Sequence, residues 1–164
     1  MKNEIDLVGP AMKVQQEIMS IPDFGASEPE GFLMKETAQI ERLKKAFLMV
    51  SGAAVQKLMT KIESEQEVMM CLADILIEIY AIESAVLRTQ KLAIQNGEAS
   101  VEKQKMAVQV YLYDATEKIA IQGRQALNSF ATGDELRMMQ LGLKRFTKQE
   151  PLNTIQLRRD ILTL

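Results

Sequence analysis

The residues best suited to chemistry fall in one stretch at helical spacing: Asp74, Glu78, Glu83 and Arg88. Carboxylates so arranged are what di-iron helical bundles use, but those sites add a Glu-x-x-His pattern on two helices. The sequence has 0 histidines, so that ligand set cannot be assembled. The same absence excludes histidine-based serine or cysteine triads, histidine-ligated zinc and haem held by a proximal histidine. With one cysteine, Cys71, the chain can build neither a cysteine-ligated iron–sulfur cluster nor an internal disulfide, and nothing points to an oxidised, secreted framework. No metal ligand, cofactor contact or catalytic residue is assigned.

Glu83 lies three and four residues from Tyr80 and Leu87, on an apolar face where a carboxylate needs a partner. Arg88 is too far round the same helix, which leaves Lys118, Arg124 or a second chain. A structural ion pair is the plain reading. A general acid or base at Glu78 and Glu83 would require both in one solvent-reached cavity with separated pKa values. Tyr111, Tyr113 and Asp114 cluster further on. With 5 phenylalanines and 3 tyrosines there is little to stack a flavin or a base against, so these tyrosines are expected at helix contacts with their hydroxyls at the rim. The 11 methionines, including Met69-Met70 and Met138-Met139, are expected to fill core more than to line a groove. Cys71, beside Leu72, is expected to be buried and inert. Gly52 and Gly123 are isolated, and neither opens a strand–turn–helix phosphate cradle. On chemistry alone the chain reads as a non-catalytic helical domain.

The elements that must position these groups are helices. Prolines stand only at 10, 22, 29 and 151, and the stretch 31–150 between them is rich in Ala, Leu, Met, Gln, Lys and Glu. No Asn-Gly or Asp-Gly hairpin and no strand-like alternation appears. The fold expected is all-α, an up-down bundle of three long helices with shorter helices at the N- and C-terminal ends. Residues 1–30 make a short helix from about Pro10 to Ser20, with Met12, Ile18 and Met19 on its apolar side, and a connector holding Phe24. Residues 31–164 make the bundle.

The first long helix spans 31–62, with Ile40, Leu43, Phe47, Val50, Ala54, Leu58 and Ile62 in one stripe. Gly52 interrupts it and implies a close helix neighbour. Ser64 and Glu67 make a capping-box pattern that opens the second, 65–96, stopped by Gly97. Its stripe of Val68, Leu72, Ile75, Ile79, Ile82 and Val86 is widened by Met69, Leu76, Tyr80 and Leu87, so it is expected to be central and covered on several sides. The third spans 101–130, capped by Ser100. Shorter helices follow over 134–146, after a Thr132 cap pattern, and from Asn153, which caps with Gln156, to Leu164. The last stripe, Ile155, Ile161 and Leu162, has no polar tail, as if more chain followed.

At 164 residues this is one domain or a domain with an extension, able to bury roughly 69% of its unfolded surface. Lys and Arg total 20 against 22 acids, a net charge of -2, and no basic run exceeds the pairs Lys44-Lys45, Lys144-Arg145 and Arg158-Arg159. No nucleic-acid partner is expected. With no signal-peptide pattern and no spanning stretch, the expectation is a cytoplasmic protein without integral membrane association.

The stretch Ala73-Asp74-Ile75-Leu76-Ile77-Glu78-Ile79-Tyr80-Ala81-Ile82-Glu83-Ser84-Ala85-Val86-Leu87-Arg88 resembles the C-terminal extension of acyl-CoA dehydrogenases, most closely the long bacterial form related to the very-long-chain enzymes. Ala53-Ala54-Val55-Gln56-Lys57, Val110-Tyr111-Leu112-Tyr113-Asp114-Ala115, Leu141-Gly142-Leu143-Lys144-Arg145-Phe146-Thr147-Lys148, Glu150-Pro151-Leu152-Asn153-Thr154 and Arg158-Arg159 are similar to that family in the same order. The likeness runs from about Asp6 onward. The family's chain continues past the position of Leu164 by a short basic and aromatic tail.

Enzymes of the family carry an N-terminal helical domain, a β-domain and a helical domain with the FAD site and a glutamate base ahead of this extension. None of that is in the 164 residues. The family's glutamate and flavin contacts therefore match no residue here. The resemblance implies a non-catalytic domain of a flavoprotein oxidoreductase of fatty acid β-oxidation, packed on the catalytic core of the same polypeptide and supporting a homodimer. FAD would sit in the missing part. There the parent would oxidise acyl-CoA to trans-2-enoyl-CoA, the glutamate taking a proton and FAD the hydride. The membrane association of mitochondrial relatives does not carry over, for want of a strongly cationic amphipathic helix. The alternative is a free-standing helical-bundle adaptor, dimeric through the apolar face of residues 68–87. An uncovered apolar face on the isolated domain would favour the fragment. The core-facing surface is expected around Glu83, Arg88, Lys144 and Arg145, with Glu78 and Glu83 as structural or interface carboxylates.

Overall fold

The computed structural model describes residues 8–19 and 29–163. Six α-helices follow in order: α1 (Val8–Met19), α2 (Met34–Leu58), α3 (Gln66–Asn96), α4 (Glu102–Phe130), α5 (Gly133–Phe146) and α6 (Thr154–Thr163). The described residues contain no strand. Single 3-10 turns, Met59–Ser64 and Glu98–Val101, join α2 to α3 and α3 to α4. Such short links force antiparallel neighbours. Cross-helix bonds show it: Gln90 on α3 reaches Thr37 near the start of α2, whereas Glu83, two helical turns earlier, meets Lys44. The expected Phe24 connector, Ser20 and Leu164, and the side chains of Ile18 and Met19, lie outside the described residues.

The long helices pack because their stripes face one another. Ile75, Ile79, Ile82 and Val86 of α3 meet Ile40 and Leu43 of α2 and Val108, Leu112 and Ile119 of α4 in one cluster. A second cluster at the other end joins Met49 and Val50, Val68 and Leu72, Leu127, and Leu143 and Phe146 of α5, with Val14 of α1. Close packing explains the two helical glycines. A Cβ on Gly52 would fall 2.4 Å from that of Ala11, and one on Gly123 would fall 2.9 Å from a Leu143 methyl.

Several ends differ from the sequence reading. α2 stops at Leu58, four residues early, where Met59 takes φ 49° and the chain tightens into the 3-10 turn. That turn consumes Ser64, whose Oγ donates to the Lys61 carbonyl at 2.7 Å, so Glu65 precedes α3 and no capping box forms. Ser100 likewise donates to the Gly97 carbonyl at 2.7 Å instead of capping α4. Thr132 stands at the N-cap of α5 without a side-chain capping bond. The Asn153 cap does form: its Oδ1 accepts from the Gln156 amide at 3.0 Å. Gly97, at φ 85°, ends α3 in a left-handed conformation that suits glycine.

Candidate functional site

α3 has two apolar faces, and only one is packed. Val68, Leu72, Ile75, Ile79, Ile82 and Val86 are buried, because α2 and α4 both lie on that side. The residues expected to widen the stripe, Met69, Leu76, Tyr80 and Leu87, are exposed, together with Met70, Ile77 and Ile94. The expectation of a helix covered on several sides is therefore corrected: among the described residues nothing packs on this second face. The methionine expectation splits. Met49 and Met106 are core, whereas Met69, Met70 and Met138 are exposed. The open face adjoins a shallow cavity of about 330 Å³ between α3 and α4, lined by Asp74, Ile77, Glu78, Lys118 and Ile121.

The singled-out charges form a structural network around the packed face. Glu78, half-buried, accepts from the Tyr111 hydroxyl at 3.0 Å and from Lys118 Nζ at 2.8 Å. Burial first, and then that bond to Glu78, push the Tyr111 phenol above its ordinary value. The Lys118 ammonium is raised mainly by its own bond to the Glu78 carboxylate. Glu83 accepts from Lys44 Nζ at 2.6 Å, and Lys44 also reaches Glu41 at 2.9 Å. The bond to Glu83 is the chief cause that raises Lys44.

Lys118 and Arg124 were the expected partners of Glu83. The rotation of α3 instead turns Glu83 toward α2 and Glu78 toward α4. The two carboxylates thus occupy opposite sides of the helix and share no cavity, so they cannot work as an acid–base pair. Arg145 donates to the carbonyl of Glu17 at 3.1 Å and ties α5 to α1. Lys144 and Arg88 are exposed. Of the sequence-marked interface residues, then, Glu78, Glu83 and Arg145 serve internal contacts, and only Arg88 stands on the open α3 surface.

Cys71 is half-buried; burial first, and then the nearby Asp74 charge, push its thiol up, which opposes thiolate formation. A second cleft, about 290 Å³, lies between α2, α4 and the segment before α6, lined by Lys35, Gln39, Arg42, Tyr113 and Gln149 among others. There the Arg42 guanidinium donates to Gln39 Oε1, burial lowers the Arg42 pKa, and the buried Gln39 Nε2 makes no hydrogen bond. Sequence reasoning had no signal for this amide, since a glutamine at that position reads as helix surface.

Among the described residues no group of three or more Cys, Asp or Glu side chains could hold a metal ion. No described helix is long and apolar enough to cross a membrane. A flavin dinucleotide needs a phosphate cradle and an apolar slot for its ring. The described clefts are open and of mixed charge, and of the positive-φ glycines Gly31 and Gly97 lie in links between helices and Gly133 opens α5, so they form no cradle. These residues do not fit the group.

With this geometry in place, likeness to known proteins becomes informative. The acyl-CoA dehydrogenase C-terminal domain family matches residues 42–145, from mid-α2 to the end of α5. The chain belongs to that family. A probable acyl-CoA dehydrogenase of Bacillus subtilis (strain 168) is 32% identical over 98% of this chain. The crystal structure of an acyl-CoA dehydrogenase complexed with FAD from Bacillus anthracis is similar over 99% of the chain, at 33% identity and a TM-score of 0.90. In both cases this acyl-CoA dehydrogenase C-terminal domain spans 27% of the relative's length.

Proposed function

We propose that this chain is the non-catalytic C-terminal domain of a flavin-dependent acyl-CoA dehydrogenase of fatty acid β-oxidation. It packs on the catalytic core of the same polypeptide and supports a homodimer in the cytoplasm. The observation that carries the reading is the likeness, at a TM-score of 0.90 over 99% of the chain, to a 27% portion of a dehydrogenase complexed with FAD. The chemistry of the chain agrees: Glu78 and Glu83 are spent on ion pairs, and no described cleft fits a flavin. In this reading FAD and the glutamate base belong to the remainder of the polypeptide, where the acyl-CoA loses its α-proton and β-hydride to become the trans-2-enoyl-CoA. The contribution of this domain is mechanical. Its α2–α3–α4 bundle is a preformed body whose core does not depend on the core enzyme for closure.

The test is the intact mass and the flavin absorbance of the protein expressed from its natural gene without truncation. A polypeptide several times this length carrying bound FAD and oxidising acyl-CoA is expected. A flavin-free product of 164 residues would overturn the reading and leave a helical adaptor.

A further inference from the structure

Three elements wall the cleft of about 290 Å³ beside α2. Lys35, Gln39 and Arg42 stand four and then three residues apart, in one line along α2. Gln109, Leu112 and Tyr113 share a face of α4 opposite them, and the link from Gln149 to Leu152 makes the third side. That link is fastened at both ends. Gln149 Nε2 donates to Glu117 Oε1 at 2.8 Å, and Arg158 of α6 donates to Asp114 at 2.6 Å. At about 30 Å³ per water, the space takes about ten waters, or a molecule of similar heavy-atom count. A helix of another protein is too wide for it.

The polar groups on the α2 side are short of acceptors. Gln39 is only 5% exposed, and the Arg42 guanidinium donates to its Oε1. That bond fixes the amide and leaves Nε2 as a buried donor with no partner, which costs its desolvation. Arg42 itself forms no ion pair among the described residues, although burial lowers its pKa, so a partly desolvated cation stands without a counter-charge. Neither carboxylate on the cleft wall serves it. Glu36 accepts from Gln109 Nε2 at 2.7 Å, and Glu150 is exposed. Leu112, Pro151 and Leu152 make the apolar part of the wall.

We propose that this cleft binds a small carboxylate, its charged group held between Arg42 and the Gln39 amide and its short apolar body against Leu112, Pro151 and Leu152. A guanidinium carries five N–H donors in a fork, so Arg42 keeps its bond to Gln39 Oε1 and still takes a carboxylate oxygen. Because Arg42 lies on the same amide, it is part of what shields Nε2, and drawing its exposed side chain onto the anion bares that donor. A carboxylate offers acceptors and no donor, the complement of both groups. An alcohol would serve the amide but not the cation, and inorganic phosphate has no apolar body for the third wall. The site lies wholly within this chain, so it stands or falls apart from the dehydrogenase reading.

The 164-residue chain is titrated with hexanoate, hexanol and inorganic phosphate while the side-chain nitrogen–proton resonances of Gln39 and Arg42 are followed. Hexanoate should move both with a Kd of about 1 mM, and the other two should bind at least about tenfold more weakly. Gln39→Glu keeps the size but sets a carboxylate beside Arg42 and removes the donor; hexanoate binding should be lost while the helical circular dichroism is kept. Arg42→Gln, at an exposed position that spares the fold, should weaken binding at least about tenfold, and Arg137→Gln on α5 should leave it unchanged. Hexanoate binding that survives Gln39→Glu or Arg42→Gln, or shifts confined to the open α3 face, would overturn the site. Tighter binding of phosphate or hexanol than of hexanoate would overturn the carboxylate class. No shift of either side chain at concentrations far above that Kd would overturn both.

Discussion

Gly52→Ala is expected to destabilise the chain even though it replaces the poorest ordinary helix former with the best. The new Cβ would sit 2.4 Å from Ala11 Cβ and 3.8 Å from Ala11 Cα. Carbon atoms in ordinary contact are about 3.5 Å apart or more, so α1 would have to retreat by about 1 Å. Ala11 has no side-chain torsion through which to yield. Overpacking of this kind costs about 1–3 kcal/mol, and the gain in helix propensity returns about 1 kcal/mol, leaving a net loss of about 1 kcal/mol. Gly123→Ala is the internal control. There the obstacle is the end of Leu143, Cδ1 at 2.9 Å and Cδ2 at 3.1 Å, a side chain that can adjust, so the gain and the cost nearly cancel. Urea unfolding followed by helical circular dichroism measures both. Because α1 packs chiefly on α2, amide exchange over residues 8–19 reads the clash most directly, and roughly fivefold faster exchange is expected in Gly52→Ala. Adding Ala11→Gly should relieve the clash, with a coupling of about 1 kcal/mol or more in the double-variant cycle. A Gly52→Ala chain that gains the full propensity increment, or a cycle without coupling, would refute the close α1–α2 approach.

Stability should fall as pH rises past the ordinary values of 10.0 for tyrosine and 10.5 for lysine. Tyr111, Lys44 and Lys118 are all raised in the fold, so the unfolded chain releases those protons first and the stabilisation is lost as pH climbs through the folded values. Glu78→Gln should flatten that slope, and urea midpoints that rise with alkaline pH would contradict it. Ile82→Ala should cost about 2–5 kcal/mol, because the side chain is fully enclosed, whereas Leu87→Ala on the open face should stay within about 0.5 kcal/mol in the 164-residue chain. Equal losses in urea unfolding would mean that the second face is packed after all. Gln39→Met removes the buried Nε2 donor that has no acceptor but also the Oε1 that accepts from Arg42, so gain and loss oppose and stability should change by no more than about 1 kcal/mol, whereas adding Arg42→Met should remove the loss; a loss of several kcal/mol that persists in the double variant would show that Nε2 has a partner.

The packed face of α3 was legible because Val68, Leu72, Ile75, Ile79, Ile82 and Val86 keep helical period without interruption, and period is what selects the buried side. Gly52 was legible for a related reason, since a glycine inside a strong helix pattern implies a neighbour too close for a Cβ. The pairing of Glu83 was not. Which of Lys44, Lys118 or Arg124 it meets depends on the rotation of α3 against both neighbours, and a turn of one residue moves a side chain by 100°. Ser64 misled because the local capping pattern competes with a 3-10 turn that uses the same hydroxyl, and the turn is set by how α2 must end to let α3 fold back.

The widened stripe of Met69, Leu76, Tyr80 and Leu87 shows where hydropathy reading has its limit. These residues are as apolar as those beneath them, so the sequence marks them as wanting cover without naming what covers them. α2 and α4 supply cover on one side only, and their own polar residues, Lys44, Lys118 and Gln109, point to partners within the bundle. The bundle pairs these charges internally and leaves its second apolar surface open. An adaptor that lives alone would pay for such a face in solubility, whereas a domain that always travels with the rest of its polypeptide would not. The relatives' additional chain is a body of protein large enough to cover such a line.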